Sequence, residues 1–339
     1  MWPVVVISSG AVGQNHDTGW GHPERAERLR AVDDGVAALE REGAVVRVPG
    51  RRASRAELLR VHRSSYLDGL EEYIRAGGGA IDADTRTSSG SWDAAVLAAG
   101  SGLEAADRLS EGAGQAAFVA VRPPGHHATA DRAMGFCLLN NVAVTAAALA
   151  ERDERVLIVD WDVHHGNGTQ DIFWNDPKVM YVSTHEWPLY PGTGRAEDIG
   201  GPSAWGLTVN IPLPEGATGD VARFALDELV APCVERFGPT WILISAGFDA
   251  HRRDPLAGLA WSSGDYAALA ATVAGWAPRP GRVIAFLEGG YDLEALTSCT
   301  RATLSGLSGA SAMAEAPTSG GPGREAVASQ MERRAQLGL

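Results

Sequence analysis

Short runs of apolar, often β-branched residues recur along the chain: Val4–Ser8, Ala44–Val48, Ala116–Val121, Val156–Asp160, Val179–Ser183, Leu207–Ile211, Trp241–Ala246 and Val283–Leu287. They are apolar at nearly every position, as in strands buried on both faces. Helix-period segments lie between them. In Arg25–Leu39 the positions Ala26, Leu29, Val32, Val36 and Leu39 form one apolar stripe. Trp92–Leu109, Val142–Ala150, Val221–Phe237 and Gly264–Trp276 are similar, and Pro232 should bend or split the fourth. This alternation predicts a single-domain, three-layer αβα fold of the α/β class, with a mostly parallel central sheet of about eight strands. The domain should span 1–307. Ser308–Arg324, rich in Gly, Ala, Ser and Pro, reads as a linker, and Glu325–Gln336 as a short terminal helix.

Composition narrows the classes. In 339 residues, 42 acidic and 29 basic side chains give a net charge of −13. Such a balance argues against direct nucleic-acid binding through phosphates. No segment approaches the roughly 20 apolar residues of a membrane span, and the start of the chain lacks a basic leader, so a cytoplasmic protein is expected. Lys178 is the only lysine, an arginine bias that hints at a GC-rich, bacterial genome. Cys137, Cys233 and Cys299 are widely spaced and read as small buried residues.

Ligands of parallel α/β sheets bind beyond the carboxyl ends of the strands, and four runs lead into reactive residues there. RPPGHHA follows Ala116–Val121, WDVHHGNG follows Val156–Asp160, GFDAH follows Trp241–Ala246, and EGGY follows Val283–Leu287. They should converge on one site. In an extended chain Asp160, Asp162 and His164 face one side. Two carboxylates and an imidazole together call for a cation, a capped surface loop being the alternative. Asp249 is either a helix N-cap or a third ligand. Two Asp and one His leave an open coordination position, as catalytic zinc sites require, and without thiolates Fe(II) or Co(II) is also acceptable. The adjacent His126 and His127 suit metal ligation or proton transfer, and spacing does not choose between them. Tyr291 is either packing or an oxyanion donor.

These motifs, with HPER from His22, GFCLLNN, YVSTHE, YPGTG and the longer SAGFDAHRRDPLAGL and LEGGY, resemble the histone deacetylase superfamily of the arginase/deacetylase fold. The likeness is closer to class II-like and bacterial members than to class I. It implies zinc at Asp162, His164 and Asp249, His127 as general base and then acid, His126 paired with Asp160, and Tyr291 polarising the acyl carbonyl. Asn167 stands where class I relatives carry Asp, which leaves His127 without a charged partner and should lower its pKa. The resemblance further implies structural potassium near Asp160, Asp162, His164, Ser183 and Thr184, and a second monovalent site at the carbonyls of Phe173 and Val179. It maps an acyl-lysine tunnel to Gly135, Phe136 and Tyr190, with Asp84 at the rim to bind substrate backbone. Leu256 stands near where polyamine-selective relatives place Glu, which favours acyl-lysine, while the net charge of −13 pulls toward polyamines.

The function this implies is zinc-dependent removal of acetyl or related acyl groups from lysine in proteins or peptides. An acetylpolyamine or other small N-acyl amine is the alternative substrate, and a homo-oligomer is possible. An arginase-like dinuclear manganese hydrolase needs Asp where Gly166 and His251 stand. A silent acyl-ligand binder has no evident reason to keep every reactive residue. A dinucleotide-binding protein is disfavoured because no GxGxxG follows a strand.

Overall fold

In strand β1 (Val4–Ser8), Val4 and Val6 enter one apolar core while Val5 and Ile7 enter a second, because successive side chains of a strand point to opposite faces. The computed structural model describes residues 2–310 and 315–339. Met1 and residues 311–314, the latter inside the stretch read as a linker, lie outside the described residues. The other strands are β2 (Val45–Pro49), a small antiparallel hairpin of β3 (Gly79–Ala80) and β4 (Arg86–Thr87), β5 (Ala116–Ala120), β6 (Val156–Asp160), β7 (Val179–Glu186), β8 (Thr208–Leu213), β9 (Trp241–Ala246) and β10 (Val283–Leu287). Apart from the hairpin they form one eight-stranded sheet in the order β2-β1-β5-β10-β9-β6-β7-β8, parallel throughout. Helices cover both faces, so the chain is a single α/β domain as the alternation predicts.

One layer contains helices Ser64–Arg75, Ser91–Ser110 and Asn141–Ala150; the other contains Glu27–Arg41, Ser263–Gly275 and Leu293–Ser308. Between Gly219 and Phe237 the chain passes through a wider π turn, Leu226–Val230. Pro232 follows this turn directly, so the ladder widens where a proline supplies no N–H, and the segment continues as helix to Phe237. The terminal helix is Arg324–Gln336. The described part of the preceding stretch is tied to the domain: Glu315 accepts the Ser263 N–H at 2.8 Å, and Thr318 Oγ1 accepts the Gly219 N–H at 2.9 Å.

The four runs with reactive ends are consecutive in the sheet, as β5, β10, β9 and β6. Their carboxyl ends therefore share one edge of the molecule, and the loops that follow build the site.

Candidate active site

β6 ends at Asp160, and the chain then bends instead of continuing extended. The expected alignment of Asp160 with Asp162 and His164 is thereby broken, since two-residue alternation holds only within a strand. Asp162 and His164 meet Asp249, from the tip of β9, with their ligand atoms all within 4.8 Å of one another. Asp160 lies beneath, where its Oδ2 accepts from His126 Nδ1 at 3.0 Å and from the Tyr181 hydroxyl at 3.1 Å.

The carboxylates of the trio are held by backbone donors. Asp162 Oδ2 accepts the Gly289 N–H (2.8 Å), Asp162 Oδ1 the His164 N–H (2.9 Å) and Asp249 Oδ1 the Val163 N–H (2.9 Å). A Cβ at Gly289 would stand 1.9 Å from Asp249 Oδ2, so only glycine fits at the tip of β10. His164 directs Nδ1 at both carboxylates, 3.1 Å from Asp162 Oδ1 and 3.3 Å from Asp249 Oδ2. The second contact has no hydrogen-bond geometry, and Asp249 Oδ2 is a buried oxygen without a donor. Burial alone would push the His164 imidazole down, yet the two carboxylates hold it up at about 10. An excess of buried negative charge, an unpaired oxygen and an inward ring nitrogen are the donor set of a divalent cation. His164 keeps 11% of its side chain exposed, so the trio can be reached from outside.

Access is through a tunnel of about 330 Å³ lined by His127, Gly135, Phe136, His164, Tyr190 and Tyr291, with Pro23, Asp84, Leu189 and Leu256. Tyr190 stands edge-on to His127 at 5.2 Å, and Phe136 edge-on to Tyr291 at 5.8 Å, between ring centroids. Gly135 and Phe136 both have positive φ, +56° and +67°. At Gly135 a Cβ would lie 2.5 Å from the His127 ring. Phe136 has no such freedom, and its left-handed backbone is strain at the tunnel wall, costing on the order of 1–3 kcal/mol. His127 Nδ1 donates to Asn167 Oδ1 at 2.8 Å, which leaves Nε2 open. Its pKa is held well below the usual imidazole range, although the hydrogen bond to Asn167 by itself pulls it up. The largest cause is burial, followed by the positive His126 and His164. His126 goes the other way: burial would lower it, but Asp160 and then Asp162 raise it to about 10.

Comparison with known proteins bears on this geometry. The sequence model of the histone deacetylase domain matches residues 22–307. The chain belongs to the histone deacetylase family. It is 41% identical to a probable deacetylase of Archaeoglobus fulgidus over 287 residues, 82% of this chain and 79% of the relative. It is 38% identical to a histone deacetylase-like amidohydrolase of Pseudomonas aeruginosa over 297 residues, 85% of this chain and 77% of the relative. The crystal structure of the HDA15 HD domain superposes with a TM-score of 0.89 at 33% identity, covering 99% of this chain and 96% of that one. These relatives make this deacetylase-family chain a hydrolase of the amidohydrolase type.

The deacetylase site has parts that sequence reasoning quoted without assigning a role. Glu24 is fully buried and grips Arg28 Nη1 at 3.0 Å and both Nε and Nη2 of Arg122. Burial opposes its ionisation, but Arg122 outweighs that and holds the carboxyl well below its usual range. Arg28 in turn donates to the carbonyls of Gly290 (2.7 Å) and Glu288, and its guanidinium lies 5.0 Å from the Tyr291 ring centre. Asp254 accepts the Tyr291 N–H at 2.7 Å. The backbone leading into Tyr291, from the Glu288 carbonyl to the Tyr291 N–H, is therefore fixed by charges distant in sequence. Glu288 Oε2 accepts the N–H groups of Gly125 and His126, tying the tips of β10 and β5 together. A second buried trio, His126, Cys137 and Glu288, lies beside the first, but Asp160 and these amides already engage two of its members.

The remaining expected residues divide. Asp84 and Leu256 are at the tunnel mouth, Leu256 being 37% exposed. Ser183 is level with Asp160 in the β6–β7 pairing, and its hydroxyl is bonded to His185 Nδ1 at 2.9 Å. Thr184 Oγ1 is buried without a partner. All three cysteines are buried and free.

Proposed function

We propose that this deacetylase-family protein is a zinc-dependent amidohydrolase that removes acetyl or related acyl groups from lysine side chains of polypeptides. One observation carries the reading: an under-neutralised carboxylate–imidazole trio lies at the floor of a narrow aromatic tunnel. Asp162, His164 and Asp249 would hold the metal. When bound, it supplies Lewis-acid polarisation of the acyl oxygen and a more acidic water. His127 Nε2 takes the proton of the attacking water and returns it to the departing amine. Asn167 keeps the ring in the tautomer that leaves Nε2 open. His126, charged against Asp160, places positive charge beside the reacting centre. The Tyr291 hydroxyl donates to the acyl oxygen as negative charge builds there. Phe136 and Tyr190 flank the aliphatic stem and shed water from it.

The same reading places structural potassium around Asp160, Asp162, His164, Ser183 and Thr184, with a second monovalent ion at the carbonyls of Phe173 and Val179. It also puts the protein in a bacterial cytoplasm. A second substrate class, acetylpolyamines, is favoured by Asp84 at the mouth and the net charge of −13; the apolar Leu256 speaks for the first. Turnover of acetyl-lysine peptides should exceed that of acetylspermidine and acetylputrescine when the rates are measured side by side, longer acyl groups included. The reverse order would transfer the function to the small amines.

A further inference from the structure

Beside the tunnel mouth the loop Asp17-Thr18-Gly19-Trp20-Gly21-His22 presents a tryptophan that touches almost nothing. Trp20 is fully exposed, at 104% of the reference area. Both flanking glycines have positive φ, +92° at Gly19 and +76° at Gly21, so the turn projects its tip outward. The base of the loop is pinned: the Gly19 N–H donates to Asp17 Oδ1 at 2.9 Å, and His22 Nε2 contacts the Asp84 carbonyl at 2.8 Å. His22 also stands edge-on to Phe136 at 4.8 Å, so the loop and the tunnel share a wall. On the outer side of that wall a cavity of about 450 Å³ runs from Trp20 to the tunnel mouth, sharing Pro23, Asp84 and Phe136 with the tunnel. Beyond Trp20 it opens into a groove of about 910 Å³.

We infer that Trp20 is a specificity residue, receiving a large apolar side chain of the polypeptide that carries the acyl-lysine, on one flank of that lysine. The inference rests on the polypeptide reading of the function given above. Continuity decides the occupant. A chain whose lysine fills the tunnel extends from the mouth on two flanks, and on the flank of Pro23, Asp84 and Phe136 the groove continues directly from the tunnel, whereas Leu189, Tyr190 and Leu256 line the rest of the mouth. A second protein copy seated there would cover the mouth and stop turnover, and a small acyl amine held in the tunnel leaves the groove empty. Indole offers a large rigid face at little entropic cost, which is why tryptophan is enriched where binding energy concentrates.

The test uses the metal-replete enzyme and three kinds of substrate: acetyl-lysine blocked at both ends, an acetyl-lysine peptide of glycine and alanine, and that peptide with phenylalanine placed on each flank in turn. Phenylalanine on one flank should lower KM about tenfold, the scale of one good aromatic contact. Trp20→Ala should erase that preference with kcat unchanged and blocked acetyl-lysine unaffected, and Trp20→Phe should keep most of it. A flank preference that survives Trp20→Ala, or no preference in the wild type, overturns the assignment. So does an equal loss on every substrate, which would mean that the loop acts through His22. A wild-type dimer that dissociates in Trp20→Ala assigns the indole to a second copy instead. Failure of the underlying reading looks different: the wild type would hydrolyse none of these substrates.

Discussion

Two buried charge clusters lie within the same tip of the sheet and have opposite characters. In one, Glu24 sits between Arg28 and Arg122, and both guanidiniums spend their remaining donors on carbonyls of Gly13, Glu288 and Gly290. In the other, Asp162 and Asp249 share one imidazole, and Asp249 Oδ2 is left without a donor. The first is closed at its guanidiniums: each nitrogen of Arg28 and Arg122 has an acceptor, and the cluster holds the loop leading into Tyr291. The second is open and carries surplus negative charge that water cannot reach freely. A buried ionic group that satisfies itself supports structure, whereas one that cannot is poised for a ligand.

The contrast breaks most readily at the open cluster. Asp162→Ala and Asp249→Ala should each abolish stoichiometric metal and lower turnover at least about 1,000-fold, since metal polarisation and the activated water are lost together. Elemental analysis beside an amidase assay reads both. Stripped of metal, Asp249→Asn should unfold no earlier than the stripped wild type, because it relieves a like-charge pair; earlier unfolding would make the open cluster structural. Tyr291→Phe should cost about 100- to 1,000-fold in kcat with metal content unchanged, the scale of one lost oxyanion donor. At the closed cluster the effect moves to stability. Glu24→Gln leaves two buried guanidiniums short of their carboxylate and should cost roughly 3–5 kcal/mol in urea unfolding, with metal still bound. A loss under about 1 kcal/mol would remove the distinction between the clusters.

A neutral buried group sharpens the comparison least but cleanly. His62 donates from Nδ1 to the Thr129 carbonyl (3.0 Å) and accepts at Nε2 from the Asn140 N–H (3.0 Å), and burial lowers its pKa to about 4. The native state therefore binds fewer protons than the unfolded one. Its contribution is complete above an unfolded pKa of about 6.5 and is lost as the pH falls toward 4. Unfolding free energies of His62→Gln should fall by about 3 kcal/mol less than wild type between pH 7 and 4. Equal slopes would refute the neutral assignment.

The sheet was legible because strands buried on both faces leave uninterrupted apolar runs, and the ends of Val156–Asp160, Trp241–Ala246 and Val283–Leu287 coincide with β6, β9 and β10. Helix Leu293–Ser308 was not, since buried Thr300, Thr303 and Ser305 interrupt its apolar stripe and hydroxyls can bond within the helix. At the site, Asp249 could be found because a lone carboxylate follows a strand that is apolar but for Ser245. The separate facing of Asp160 could not, because the strand ends there and nothing in the residue spacing marks the bend. The closed cluster joins Glu24 to Arg122 and Arg28 to Gly290, pairings 98 and 262 residues apart that only the folded sheet creates.

The central claim is that Asp162, His164 and Asp249 hold one ion that serves amide hydrolysis. Titrating zinc into the chelated protein while following hydrolysis of an acetyl-lysine peptide tests it most directly. Activity should rise in proportion to added zinc and stop at one equivalent per chain. Hydrolysis that persists after chelation, or a break at two equivalents, would contradict it.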